Sequence, residues 1–195
     1  MLAFLLVLLS YLLGSIPTAY VVGKLLKGID IREVGDGNAG AANVYREIGH
    51  TAGLAVMVVD ILKGALAVIL AQIFASQAVA FFAGLAAVIG HIRPLYIGFR
   101  GGRGESTTIG VLFIFLPQAM LILLALCALP FFITRNTIVA GTIIFSPLWL
   151  VALLTGASAV LICYSIALPC IVGVTHVLTT RHLPDDVKQG VAYIR

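Results

Sequence analysis

Charge is what this sequence has least of. Asp, Glu, Lys and Arg make up 10% of its 195 residues, against roughly a quarter in soluble domains. Residues 64–92, 106–134 and 136–180 contain none of the four. With 61% hydrophobic residues and a mean hydropathy of +1.13, the pattern excludes an ordinary water-soluble domain. Uncharged runs of this length exceed the ~20 residues that span a bilayer. Cysteine is also sparse. Cys127, Cys163 and Cys170 lie in apolar runs with no C-x-x-C pair, so they read as small buried hydrophobes and exclude a disulfide framework or a zinc site. Repeats, low-complexity tracts and linkers are lacking too, and one domain over 1–195 is expected. The net charge of +4 is assigned to loops facing the cytoplasm rather than to nucleic acid.

The N-terminal "MLAFLLVLLSYLLGSIPTAY" lacks a basic leading region and an A-x-A-like cleavage site. It is read as a first spanning helix that ends near Lys24 and Lys27. The charges cluster at 24–63, 93–105, Arg135 and 181–195. Positive loops stay in the cytoplasm, so every uncharged stretch must leave that face and return. Residues 51–92 do this as two helices turning near 75–77. Residues 136–180 do it as two more, turning near 154–158. The span 106–134 is divided into two short helices at Pro117, which removes a backbone donor and clashes with the preceding turn. The expectation is an all-α, seven-helix membrane bundle with short broken helices, its N-terminus outside and its C-terminus inside. It sits in the inner or plasma membrane as a multi-pass protein.

Two polar segments carry the chemistry. The first is "GDGNAGAANVYREIG", residues 35–49. Its G-x-G-x-x-G spacing matches a dinucleotide fingerprint only weakly, because no buried strand or βαβ unit surrounds it. The physics still holds: Gly35, Gly37 and Gly40 let backbone amides approach an anion, with a helix starting near Ala41. On that helix Asn43 and Arg46 share a face. A glycine-rich loop with a solvated arginine fits the same residues. Asp36 stands out, an acid inside a loop of phosphate-binding type.

The second segment is "GHIRPLYIGFRGGRGEST", residues 90–107. Gly101, Gly102 and Gly104 bracket Arg103, with Arg100 just before. Consecutive free amides there would form an anion-binding nest, and each guanidinium can grip phosphate oxygens with two donors. His91 opens the loop, and Glu105 complements the start of a helix. Asp60 and Lys63 are costly inside a span and are read as pairing with each other. His50 and His176 are read as structural. Arg181 and His182 end the last helix. Two glycine-rich loops with arginine on one membrane face describe a pocket for phosphate groups opening to the cytoplasm, between helices that hold an acyl chain. An enzyme that joins a lipid chain to a phosphorylated small molecule needs this combination.

The chain resembles a family, the bacterial acyl-phosphate:glycerol-3-phosphate acyltransferases (the PlsY type). The resemblance runs over essentially the whole length, through "GSIPTAYVVGKLLKGIDIREVGDGNAGAANVYREIG", "DILKGALAV", "GHIRPLYIGFRGGRGEST" and the late "TRH". It implies a seven-helix bundle with a cytoplasmic site. It also implies transfer of an acyl group from acyl phosphate to the 1-hydroxyl of glycerol 3-phosphate, giving lysophosphatidic acid without metal or other cofactor. The family's first-motif residues fall on Gly35, Gly37, Asn38, Gly40, Asn43 and Arg46. The second-motif residues fall on His91, Gly101, Gly102 and Gly104, with Arg100 and Arg103 in place of lysines. Arg181 and His182 match near the C-terminus, and Lys188 stands for an arginine. On this resemblance Arg46, His91 and Arg103 are the catalytic candidates. Gly37, Asn38, Gly40, Asn43, Arg100, Gly101, Gly102 and Gly104 are candidates for holding phosphate.

The departures are specific to this chain. Asp36 replaces a serine and Ala42 a threonine. Ile138 and Gly141 stand where serines are expected. Glu105 replaces an apolar residue, Arg93 an aromatic one, and Asp185 an asparagine. Asp36, Glu105, Asp185 and Lys188 are therefore candidates for specificity, with Asp36 expected to pair with Arg46, Arg100 or Arg103. Two further readings stay open: a non-catalytic paralogue, and an acyltransferase for another polyol acceptor. A transporter is disfavoured, since only the Asp60–Lys63 region puts charge within a span.

Overall fold

The computed structural model describes residues 1–184 and 187. The described residues form helices joined by short loops, with no strand among them. The first hydrophobic stretch is divided into α1 (Leu2–Gly14) and α2 (Thr18–Lys27) at Ser15–Pro17. Pro17 has no N–H to continue the ladder. Gly28 stops α2 in a left-handed conformation, φ 69°, which glycine adopts without a Cβ clash. A short helix, α3 (Ala41–Glu47), precedes the long α4 (His50–Phe74) and α5 (Gln77–Ile92). Their turn falls at the expected place, where the Ser76 hydroxyl accepts from the Val79 N–H at 3.4 Å and caps α5.

The uncharged stretch after residue 105 forms α6 (Glu105–Phe115) and α7 (Pro117–Thr134). Pro117 does divide it, but unequally. Proline is favoured at the first helical position, where no donor is needed, so α7 begins there and runs for 18 residues. The expected pair of short helices is thus one short helix and one full span. The last uncharged stretch forms α8 (Thr137–Phe145), α9 (Leu148–Leu154) and α10 (Ala159–Thr180). Asn136 caps α8 by accepting from the N–H groups of Ile138 and Val139. Pro147 separates α8 from α9.

Six segments among the described residues are long and apolar enough to cross a membrane: Leu2–Lys27, His50–Phe74, Gln77–Ile97, Pro117–Thr134, Thr137–Leu154 and Ala159–Thr180. The seventh expected helix is α6. Its 11 residues reach only ~16 Å, and it survives because α4 covers it. Glycines permit that contact. A Cβ on Gly64 of α4 would strike the Thr107 carbonyl of α6, and one on Gly110 of α6 would strike the Ile61 carbonyl of α4. The same device joins α1 to α5, where Gly14 lies on the Ala87 backbone and Gly90 on Tyr11. Small residues let membrane helices approach closely enough for dispersion and weak polar contacts to hold them. The central core gathers Val68, Val111, Leu112, Met120 and Leu168, all essentially inaccessible. Leu121, Leu126, Leu129 and Phe132 of α7 face outward, as a lipid-facing surface requires. This packing brings the loops after α2 and α5 to the same end of the bundle as the end of α10.

Candidate functional site

The loop between Gly35 and Gly40 is organised from inside by Asn43. Its amide nitrogen, on the first turn of α3, donates to the carbonyls of Ile31, Val34 and Asn38 at 3.0–3.1 Å. Its Oδ1 accepts from the Asp36 N–H at 3.3 Å. Asn43 is wholly buried, so its side chain shapes the loop and has no donor left for a ligand. Gly35 and Gly37 take positive φ, 61° and 68°. The resulting turn points Asp36 inward.

Asp36 is the centre of the arrangement. Its side chain is 1% exposed. Its Oδ2 lies 2.9 Å from a terminal nitrogen of Arg103 and 3.2 Å from one of Arg46. Its Oδ1 accepts from the Asn38 N–H at 3.3 Å. Arg103 also donates through Nε to the Thr179 hydroxyl at 3.2 Å, which ties the second glycine loop to α10. The two glycine-rich loops therefore meet at one carboxylate oxygen, which two guanidinium groups share. Charge-assisted bonds of this kind are short and strong.

A second cluster lies beneath the same loops. Lys63 donates to Asp60 Oδ1 at 2.8 Å and to the Ile16 carbonyl at 3.0 Å. Asp60 Oδ1 also accepts from the Thr18 hydroxyl at 3.1 Å, and His91 Nδ1 is 3.7 Å away. Asp60, Lys63 and His91 are all buried. The His91 carbonyl accepts from the Gly102 N–H at 3.1 Å, and the Ile92 carbonyl from the Gly101 N–H at 3.2 Å. The imidazole Nε2 packs directly on Gly102. A water-sized cavity of about 10 Å³ adjoins this second cluster, bounded by Thr18, Ala39, Lys63, His91, Gly101 and Gly102.

A family model described as Glycerol-3-phosphate acyltransferase matches residues 4–185. The chain belongs to the glycerol-3-phosphate acyltransferase family. Glycerol-3-phosphate acyltransferase 4 of Dehalococcoides mccartyi is 48% identical to it over 90% of this chain and 95% of the relative. The Bacillus velezensis glycerol-3-phosphate acyltransferase is 38% identical over 92% and 87%. The crystal structure of PlsY (YgiH), an integral membrane glycerol 3-phosphate acyltransferase, superimposes in its glycerol 3-phosphate form with a TM-score of 0.85. It is 31% identical and covers 100% of this chain and 96% of that one. Its lysophosphatidic acid form gives a TM-score of 0.81 at 30% identity. This family member is thus a multi-pass membrane protein with an acyltransferase fold.

Within that family frame, the structure brings together Asp36, Asn38, Arg46 and Arg103, and adds Thr179, which no sequence signal marked. It corrects the expected nest at 101–102. Those amides are not free, because they satisfy the carbonyls left open at the end of α5. Glycine is needed there for close approach, since a Cβ on either residue would strike His91. Gly40 caps α3 and packs on the Asn38 amide; Gly104 starts α6 with φ 90°. Arg100 is exposed, with no side-chain hydrogen bond among the described residues. His91 belongs to the Asp60–Lys63 cluster. Arg181 donates to His182 Nε2 at 2.8 Å, and both are exposed. Asp185 and Lys188 lie outside the described residues. Glu105 lies against α8, where a Cβ on Gly141 would come within 2.8 Å of its Oε1. The gained acid and the missing side chain thus occupy one volume. Nearby, Arg32 forks onto Asp30, reaches the Ile97 carbonyl at 2.7 Å, and holds the Asp30 carboxyl below its ordinary value through their hydrogen bond.

Proposed function

We propose that this protein transfers an acyl group from acyl phosphate to the 1-hydroxyl of glycerol 3-phosphate, giving lysophosphatidic acid and inorganic phosphate. Its site faces the cytoplasm. The observation that carries the reading is the meeting of Arg46, on α3 behind the first glycine-rich loop, and Arg103, from the second, at a single buried point. Two converging guanidiniums suit the oxygens of a phosphate. Acyl phosphate is a mixed anhydride and already activated. The protein therefore needs chiefly to position both substrates and to stabilise the charge that develops on the departing phosphate. The acceptor oxygen forms the new ester bond as the acyl–phosphate bond breaks, and the hydroxyl proton leaves with the phosphate. Arg46 and Arg103 supply the positive field. Arg100, exposed on the same loop, supports entry of anionic substrates. The uncharged helices accommodate the acyl chain.

The test is direct. Purified protein with acyl phosphate and glycerol 3-phosphate should release lysophosphatidic acid, and Arg103→Ala should lower that rate at least tenfold. One observation favours a second reading, an acceptor other than glycerol 3-phosphate or a non-catalytic paralogue: Asp36 already sits on both arginines. A panel of polyol phosphates separates these, since turnover of another acceptor identifies it and turnover of none supports the paralogue.

A further inference from the structure

Asp36 has the contacts that a bound anion would make. One oxygen bridges Arg103 and Arg46 at 2.9 and 3.2 Å, and the other accepts a backbone N–H from Asn38. Two guanidiniums and a glycine-loop amide are the donors expected of a phosphate site. The surrounding structure enforces the occupancy. Asn43 holds the Asp36 N–H, the Thr179 hydroxyl holds Arg103, and the carboxylate is almost wholly sealed from solvent. A phosphate that binds these arginines must either displace a buried carboxylate or share two cations with it at close range. Like charges at such distances repel strongly where water is scarce.

We infer that Asp36 is a resident counter-anion, with which a substrate's phosphate group exchanges at Arg46 and Arg103. The inference rests on the acyltransferase reading for the identity of that phosphate, which belongs either to the acyl donor or to the polyol acceptor. The carboxylate keeps the two loops and α10 joined while the site is empty, so neither arginine is left buried beside another unpaired cation. It also weakens every phosphate ligand by the work of displacement. It is a specificity residue: it selects ligands with enough charge and enough additional contacts to drive the exchange.

Inorganic phosphate is the probe for the shared chemistry. Asp36→Asn keeps the shape and removes the charge. It should bind phosphate at least about tenfold more tightly than the parent protein, the scale of one charge-assisted hydrogen bond. Phosphate should raise its melting temperature more than it raises the parent's. Asp36→Glu keeps the charge and should show no comparable gain. If Asp36→Asn does not survive purification, Asp36→Ser prepared in phosphate carries the same comparison. Equal or weaker phosphate binding by the neutral variant would overturn the exchange, as would an equal gain in Asp36→Glu. Michaelis constants then assign the source, because the substrate whose constant falls in the neutral variant is the one whose phosphate reaches the arginines. If the parent acylates glycerol 3-phosphate while neither constant falls, the exchange fails and the acyltransferase reading stands. If phosphate binding tightens but the parent acylates no acceptor, the exchange stands and that reading fails.

Discussion

Replacing Lys63 with methionine isolates the cluster beneath the glycine loops. Methionine keeps the straight apolar stem and removes the ammonium. Lys63 and Asp60 are 4% and 2% exposed at their side chains and 2.8 Å apart, so the pair is largely desolvated. Breaking such a pair from one side costs roughly 3–5 kcal/mol. Loss of the bond to the Ile16 carbonyl adds about 1 kcal/mol, and the retained stem prevents a large cavity term. We expect a loss of about 4–6 kcal/mol in reversible denaturation in detergent. The double variant Lys63→Met/Asp60→Leu removes both charges. Such exchanges are often neutral or better, but here the Thr18 hydroxyl and His91 lose Asp60. The double should therefore recover most of the lost stability, with a coupling energy of about 3 kcal/mol. Acyl transfer should recover less than stability does, because the Gly101–Arg103 segment is hung from the His91 and Ile92 carbonyls. A single variant within about 0.5 kcal/mol of the parent, the range of an ordinary surface change, would refute the reasoning.

Arg46→Ala should also lower turnover at least tenfold while the helices remain folded, measured by lysophosphatidic acid release and circular dichroism together. Gly141→Ser should cost less than about 1 kcal/mol in thermal denaturation, because the Glu105 carboxyl it meets is the far end of a flexible side chain that can shift and accept from the new hydroxyl; a larger loss would show that Glu105 is held rigidly. For topology, single cysteines at Ser76 and Gly156 should react with an impermeant reagent added outside intact cells. Cysteines at Gly37 and Arg100, both exposed, should react only after permeabilisation, and outside labelling of the cysteine at Arg100 would invert the arrangement.

The sequence alone determined the class of this protein. The absence of charge over 64–92, 106–134 and 136–180 leaves the chain no water-soluble option, and the turns at 75–77 and 154–158 follow from length and polarity. The two arginine-bearing glycine loops were legible for a similar reason: polar residues are few, so those that exist are conspicuous. Local pattern also marked Pro117, though not that the proline would open a full span rather than divide two short helices. That depended on whether α4 offered a surface to shelter an 11-residue α6, which is a matter of packing between distant glycines.

What only the tertiary structure decided is where the donors and acids go. Spacing put Asn43 and Arg46 on one face, but Asn43 turns to the carbonyls of its own loop. The amides of Gly101 and Gly102 were expected to face an anion and instead close the end of α5. Asp60 and Lys63 were read as a simple pair. In the fold they join Thr18, the Ile16 carbonyl and His91 from other segments. Thr179 carried no signal at all, since a threonine in an apolar helix is unremarkable until an arginine 76 positions away in sequence reaches it. Sequence could say that Asp36 needed a cation. It could not say that Arg46 and Arg103 would share a single oxygen of it, because electrostatic partners are chosen by distance in space and by exclusion of water. Neither is encoded along the chain; both arise when the helices pack.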